Sequence, residues 1–392
     1  MIGAPLALTL ATRARRTAGP LVAYGPVVAL AAACATAPAV QAQDPAAGGG
    51  PLLYVTNQDG AAVSVIDMDR RAEVVRVDFQ TLGFGPNAKP HDIAVEPGGS
   101  FWYVSLIGEN TVLKLDRENR IVGRVEMEVP GLVVAHPTED LLLVGRSMSA
   151  VSPPSSVALV RRSDMTLLEE VDVVFPRPHA LAARREGPAY SASLAENRMA
   201  AIALDGSDVE LIDVPAPDAA PADTADHAGH AGHTPHTLVE FTLAPDGRTL
   251  VAGGEISGEV LVFDLTDPWR PEVVRRVQVG GAPWHPAFTP DGRWLFVPLH
   301  AADAVAVIDT RTWELVDRIT GRGLAQPHAA AMSPDGSTVF VSNNNLRGTY
   351  VPEGGGPPVG TVVAIDVASR EIVAVIEVGP NATGLDTVPP RR

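Results

Sequence analysis

Four of the ten histidines in this 392-residue chain stand at three-residue spacing, in Asp226-His-Ala-Gly-His-Ala-Gly-His-Thr-Pro-His236. Neutral imidazoles spaced in this way can wrap around Cu(II), Zn(II) or Ni(II), and His227, His230, His233 and His236 are therefore candidate metal ligands. The segment has no Cys and no Met, which disfavours a dedicated Cu(I) site. From Pro215 onward it is rich in Ala, Pro and Asp, a composition that predicts a flexible insertion, and a low-complexity linker that drifted toward His is the plainer reading.

A second set of histidines is dispersed. His91, His179 and His328 each follow a proline, Trp284 holds the same place after Pro283, and His285 is its neighbour. Asn381, in Gly379-Pro-Asn381, matches by its local sequence. Imidazoles brought together from separate segments could bind a transition metal, a haem-like cofactor or an anionic ligand. The competing reading is a repeated structural residue whose ring hydrogen-bonds the next unit. Catalytic signals are thinner: His91-Asp92, Glu255, His300 and Asp303 could act as acids or bases, but there is no Gly-x-Ser-x-Gly elbow, and no catalytic set is assigned. Cys-x-x-Cys-His is absent as well, which excludes covalent c-type haem, while a non-covalent haem on one of the dispersed histidines is not excluded.

The elements that must position these residues form a repeat. Phe288-Thr-Pro-Asp-Gly-Arg-Trp-Leu-Phe-Val297 followed by Ala304-Val-Ala-Val-Ile-Asp309 is echoed by Met332-Ser-Pro-Asp-Gly-Ser-Thr-Val-Phe-Val341 with Val362-Val-Ala-Ile-Asp366. Two further copies start at Val95 and Leu243, and weaker ones near Pro130 and Arg177. The period of roughly 45 residues with four short strands per unit is that of a propeller blade, which cannot bury both faces alone and must stack. Six complete blades run from Lys89 to Gly379. Three strands at 52–79 and one orphan strand at 381–388 sum to a seventh, so the expected fold is an all-β seven-bladed propeller closed by its two termini.

Strand order assigns the loops to faces. The Pro-Asp-Gly turns share the bottom, whereas the irregular insertions at 147–156, 214–236 and 346–359 fall on the top, with the Pro-His positions. The elaborated face is the expected working face, for a metal ion, a small ligand or a protein partner.

Composition narrows the classes. The chain has 36 Gly and 35 Pro, above the average usage of about 7% and 5%, in keeping with many turns. A net charge of -16 and the lack of a clustered basic surface argue against nucleic acid and anionic membranes. Arg13, Arg15 and Arg16 precede an apolar run ending at Val40-Gln-Ala42, which predicts an export signal over 1–42 and a linker over 43–50. The expected location is periplasmic or secreted. The alternative is a lipoprotein anchored through Cys34, the only cysteine. No other membrane insertion is expected.

Tyr54-Val-Thr-Asn57 followed by Val63-Ser-Val-Ile-Asp67, with relatives at Tyr103-Val-Ser105, Phe296-Val-Pro298 and Phe340-Val-Ser-Asn343, resembles the YVTN-repeat family of extracytoplasmic seven-bladed propellers. The resemblance spans residues 51 to 388. It implies the fold, but not one function, because the wider group includes binding propellers, lactonase-like enzymes and the haem propellers of nitrite reductases. The reading favoured by the residues is a non-catalytic binding protein for Cu or Zn, with the ion held through His227, His230, His233 and His236 with help from the His91, His179 and His328 ring at the channel mouth. A lactonase-like or haem-binding protein using the same channel mouth is the alternative, and a protein-docking scaffold a third.

Overall fold

The structure, a computed structural model, describes residues 50–148, 150–216 and 236–387, all within the compact unit Gln43–Arg392. The expected signal over 1–42 and the histidines 227, 230 and 233 lie outside the described residues.

Seven four-stranded antiparallel sheets follow one another along the chain. Blade 1 is closed from both ends of the sequence. Its innermost strand, Ala382–Thr387, pairs with Leu52–Asn57 in the register Tyr54 to Asp386 and Val55 to Leu385. The innermost strands of blades 2 to 7 are Pro90–Val95, Pro130–Ala135, Pro178–Ala183, Leu238–Leu243, Ala287–Phe288 and Pro327–Met332. The seven-bladed architecture is the one expected from the repeat.

The strand sequences explain the stacking. Middle strands such as Ala62–Asp67 and Ala304–Asp309 are buried along their whole length, because both their faces pack against neighbouring blades. Outermost strands such as Glu272–Gln278 are mostly exposed and carry the charges. Between blades 1 and 2, Tyr54 meets Trp102 at 5.1 Å between ring centroids, within one apolar cluster with Val63, Val104 and Leu113. With no disulfide available, such interblade clusters and the backbone ladders hold the ring.

The Pro-Asp-Gly turns earn their repetition through side-chain capping. Asp246 Oδ1 accepts the amides of Arg248 and Thr249, and Asp335 Oδ1 accepts that of Ser337. In blade 3, His136 takes this role, its Nδ1 accepting the amides of Thr138 and Glu139 at 3.2 and 2.9 Å. The ring is fully buried.

Each blade enters its innermost strand through a residue with left-handed backbone. Lys89, Val129, Arg177, Thr237, Ala282, Gln326 and Asn381 have φ between 42° and 56°. Their carbonyls accept the amides of Ile107, Ser147, Leu194, Glu255, His300, Asn344 and Gln58, each just past the blade's second strand. That conformation costs on the order of 1 kcal/mol per non-glycine residue, so the carbonyl-to-amide bond and the adjoining pairing must offset it seven times. One extra residue then bulges the strand, as between Pro90 and Ile93, Pro130 and Val133, or Pro327 and Ala330. In blade 6 the two consecutive side chains that follow the left-handed residue, Trp284 and His285, both reach the ring of His328.

Thr56 is fully buried at the seam, its hydroxyl 3.0 Å from the carbonyls of His91 and Gly384 and 2.8 Å from Thr383 Oγ1. Thr56→Val keeps the shape and leaves these acceptors short of a donor, so chemical denaturation should show a loss of about 1–3 kcal/mol. Deleting residues 381–392 removes the closing strand and should abolish the cooperative thermal transition altogether.

Candidate histidine-lined channel mouth

Aligning the blades on the left-handed residue gives the channel-mouth position as the second residue after it. Blades 1 to 7 there present Thr383, His91, Gly131, His179, Val239, Trp284 and His328. Three of the histidines expected by sequence are thus brought to one mouth. His91 lies 6.0 Å from His179 and 6.2 Å from His328 between ring centroids. His285, one residue further along its bulged strand, lies 4.7 Å from His328, and Trp284 meets the same ring edge-on at 4.8 Å. Trp284 and His285 therefore both belong to the cluster. On its other side Trp284 stacks on His300, 4.1 Å away and nearly parallel, and above it pack Val239, Ala282 and Met148.

Glycine in blade 3 is required by space. A Cβ on Gly131 would lie 2.4 Å from the carbonyl oxygen of Arg146. That same oxygen accepts a hydrogen bond from His179 Nδ1 at 2.8 Å, so the close approach of two backbones holds the ring of the next blade.

Asn381 departs from expectation. Pro380 precedes the left-handed residue in blade 1, whereas Pro90, Pro178 and Pro327 follow it, so Asn381 corresponds to Lys89 and not to His91. Its side chain accepts from Asn344 Nδ2 at 2.8 Å and donates to Asp59 Oδ2 at 3.1 Å, bracing the rim. His236 is also placed differently from a loop ligand. It is fully buried, with Nε2 at 2.9 Å from the carbonyl of Pro215 and Nδ1 at 3.0 Å from Ser257 Oγ, so both nitrogens are committed to protein. Arg276 also donates to Pro215 and Ala216, and together they pin the two ends of the 217–235 insertion.

The hydrogen bonds define what the mouth can do. His179 Nδ1 donates to a backbone carbonyl, which leaves Nε2 with a lone pair, and His91 Nδ1 donates to Gln58 Oε1 at 2.8 Å with the same result. His91 Nε2, His179 Nε2 and His328 Nδ1 are buried without a partner. Burial pushes His91 down to about 3 and His179 to about 4, and holds His285 and His328 well below the usual imidazole range, so all four are neutral donors near pH 7.

Below the imidazoles the lumen turns acidic. Asp92, Glu240 and Asp386 stand on the innermost strands of blades 2, 5 and 1. Glu240 Oε2 is 3.0 Å from His285 Nδ1, and Asp92 and Asp386 accept the amides of Val133 and Val95, each at 2.8 Å. Gly384 lets Asp92 come close, since a Cβ there would lie 2.4 Å from its Oδ1. Burial pushes Asp92 and Asp386 up to about 7 and raises Glu240 well above the usual range. Glu255, beside Trp284, is likewise pushed up to about 7. Glu240 was not legible by the proline signal, because Leu238 stands where blades 2, 3, 4, 6 and 7 have Pro; alignment on Thr237 puts it level with Asp92 and His285.

Among the described residues, no three His, Cys, Asp or Glu stand at the mutual distances of ligands closed on one ion. Fold and site define a seven-bladed β-propeller whose channel mouth is built of neutral imidazoles over an acidic lumen. No protein-family model and no curated protein matches the sequence. Solved structures do resemble it. A functionally unknown protein from Desulfotomaculum acetoxidans aligns with a TM-score of 0.65 at 14% identity, over 87% of this chain and 99% of that one. Hydrazine synthase of Kuenenia stuttgartiensis aligns at 0.58 and 19% identity, over 75% and 88%. The dihydro-heme d1 dehydrogenase NirN, in complex with DHE, aligns at 0.53 and 15%, over 86% and 75%. These likenesses show the fold that the YVTN-type repeats implied.

Asp386 carries a folded-state pKa above its unfolded value, so its contribution favours folding below about pH 4 and turns unfavourable as pH rises through about 7. Asp386→Asn keeps the acceptor for Val95 and removes the charge. Denaturation at several pH values should show it more stable than wild type by on the order of 2 kcal/mol at pH 8, with the gain shrinking as pH falls toward 4. A gain independent of pH would contradict the assignment.

Proposed function

We propose that this chain is an exported binding propeller that holds a transition-metal ion, Zn(II) or Cu(II), at its channel mouth between His91, His179 and His328. The observation that carries this reading is the set of three buried, unpartnered imidazole nitrogens contributed by blades 2, 4 and 7. Their environment supports it. His91 and His179 give their other nitrogen to an oxygen acceptor, the arrangement that fixes the tautomer and orientation of metal-ligating histidines. Neutral nitrogen donors suit Zn(II) and Cu(II). Closing on an ion draws the three rings together from their present separations, and the acidic lumen compensates its charge. His227, His230 and His233 are proposed to capture the same ions within the 217–235 insertion. The sequence pattern expected of an export signal over 1–42 supports a periplasmic or secreted location, or a lipid anchor through Cys34.

A second reading, a tetrapyrrole held by the same imidazoles, draws on the likeness to NirN in complex with DHE. The packed rings leave no width for a macrocycle between them, so it would have to sit outside the cluster.

Elemental analysis and an absorption spectrum of untagged protein separate these readings. The proposal expects about one Zn or Cu per chain that survives deletion of 217–235 and is lost in His91→Ala, His179→Ala and His328→Ala. A Soret band in place of metal selects the tetrapyrrole. Metal that disappears with the insertion alone assigns binding to the loop and removes the mouth from the account.

A further inference from the structure

His91 is held from three directions by the ring closure. Its carbonyl oxygen accepts from Thr383 Oγ1 at 2.8 Å on the C-terminal strand and lies 3.0 Å from Thr56 Oγ1 on the N-terminal strand. Its imidazole Nδ1 donates to Gln58 Oε1 at 2.8 Å. Gln58 begins the turn Gln58–Gly60 that follows Leu52–Asn57, and that turn is itself fastened by the C-terminal segment. Gln58 N donates to the Asn381 carbonyl at 2.9 Å, and Asn381 Nδ2 donates to Asp59 Oδ2 at 3.1 Å. A Cβ on Gly60 would lie 3.1 Å from Pro380, so the turn and the C-terminal segment are in close contact.

We infer that Gln58 is a positioning residue for the channel mouth: its amide oxygen fixes which nitrogen of His91 carries the proton, and the closing strand fixes Gln58. Without an acceptor at Nδ1 the proton is free to sit on Nε2, where it blocks the lone pair that the mouth requires, and the ring is free to turn. With the acceptor in place Nε2 is presented as a lone pair. The other members of the cluster show the same logic with different acceptors, the Arg146 carbonyl for His179 and the Glu240 carboxyl beside His285. The amide of Gln58 is distinct from both in coming from a turn that the C-terminal segment fastens across the closing seam. Occupancy of the mouth and closure of the ring are therefore linked, and a ligand bound to His91 stabilises the pairing of Ala382–Thr387 with Leu52–Asn57.

This inference rests on the imidazole site proposed above, and the test keeps the two apart. Zn(II) affinity is measured by competition with a chromophoric chelator, in the full chain with His227, His230 and His233 replaced by Ala so that the mouth alone is read. Gln58→Met keeps the side-chain length and removes the acceptor; Gln58→Glu restores one. The expected result is a loss of about 10- to 100-fold in Zn(II) affinity for Gln58→Met, recovery to within a few-fold for Gln58→Glu, and melting temperatures of the zinc-free variants that match the background protein. Affinity unchanged in Gln58→Met, or lost equally in both variants, overturns the role of Gln58 while leaving the site standing. A melting temperature that falls in step with affinity also overturns it, by making Gln58 merely structural. No Zn(II) binding by the background protein defeats the reading of the site itself.

Discussion

Closure of the ring by the last strand is the constraint on which everything else depends. A blade of four short strands leaves apolar surface on both faces, and stacking in a line would leave the two end blades uncovered. Pairing Ala382–Thr387 with Leu52–Asn57 removes both ends at once. It also puts residues separated by nearly the whole sequence into hydrogen-bond contact, as with Thr387 Oγ1 donating to the Leu52 carbonyl at 2.7 Å. Only in a closed ring do His91, His179 and His328, on blades 2, 4 and 7, face one another.

Within that frame the site is made by a local device used seven times. A left-handed residue turns the chain into the innermost strand, and a pair of consecutive residues follows it at a bulge. The repeated backbone leaves the side chains free to differ. Some blades use the pair for packing, as blade 3 does with Gly131 and Leu132, while blades 2, 5 and 6 place ionisable groups there, in Asp92, Glu240 and His285. Removal from bulk water then decides the charge state of each. Imidazoles become neutral and carboxyls are driven toward protonation, so the lumen stores fewer charges than its composition suggests, and an entering cation can restore them.

The fold was legible because the Pro-Asp-Gly turns and the Asp-ending strands recur with little variation, and because the counts at the two termini complement each other. Pro-His was a sound guide to the mouth in blades 2, 4 and 7, where proline directly follows the left-handed residue. It misled in blade 1, where Pro380 precedes that residue, and it was silent in blade 5, where Leu238 stands in its place. The common feature is a backbone angle that Lys, Val, Arg, Thr, Ala, Gln and Asn all adopt here, and residue types so varied leave no pattern to read. His236 shows a related limit: three-residue spacing grouped it with His227, His230 and His233, yet Ser257 and the Pro215 carbonyl take both its nitrogens. Gln58 was invisible for a different reason, since its importance comes entirely from a contact made across the closing seam.

The most direct measurement is anomalous diffraction at the zinc edge from crystals of the full chain grown with Zn(II). The account predicts a single strong peak on the channel axis, within bonding distance of His91 Nε2, His179 Nε2 and His328 Nδ1. A channel without anomalous density, with zinc found only on surface carboxylates or on the 217–235 insertion, would contradict it.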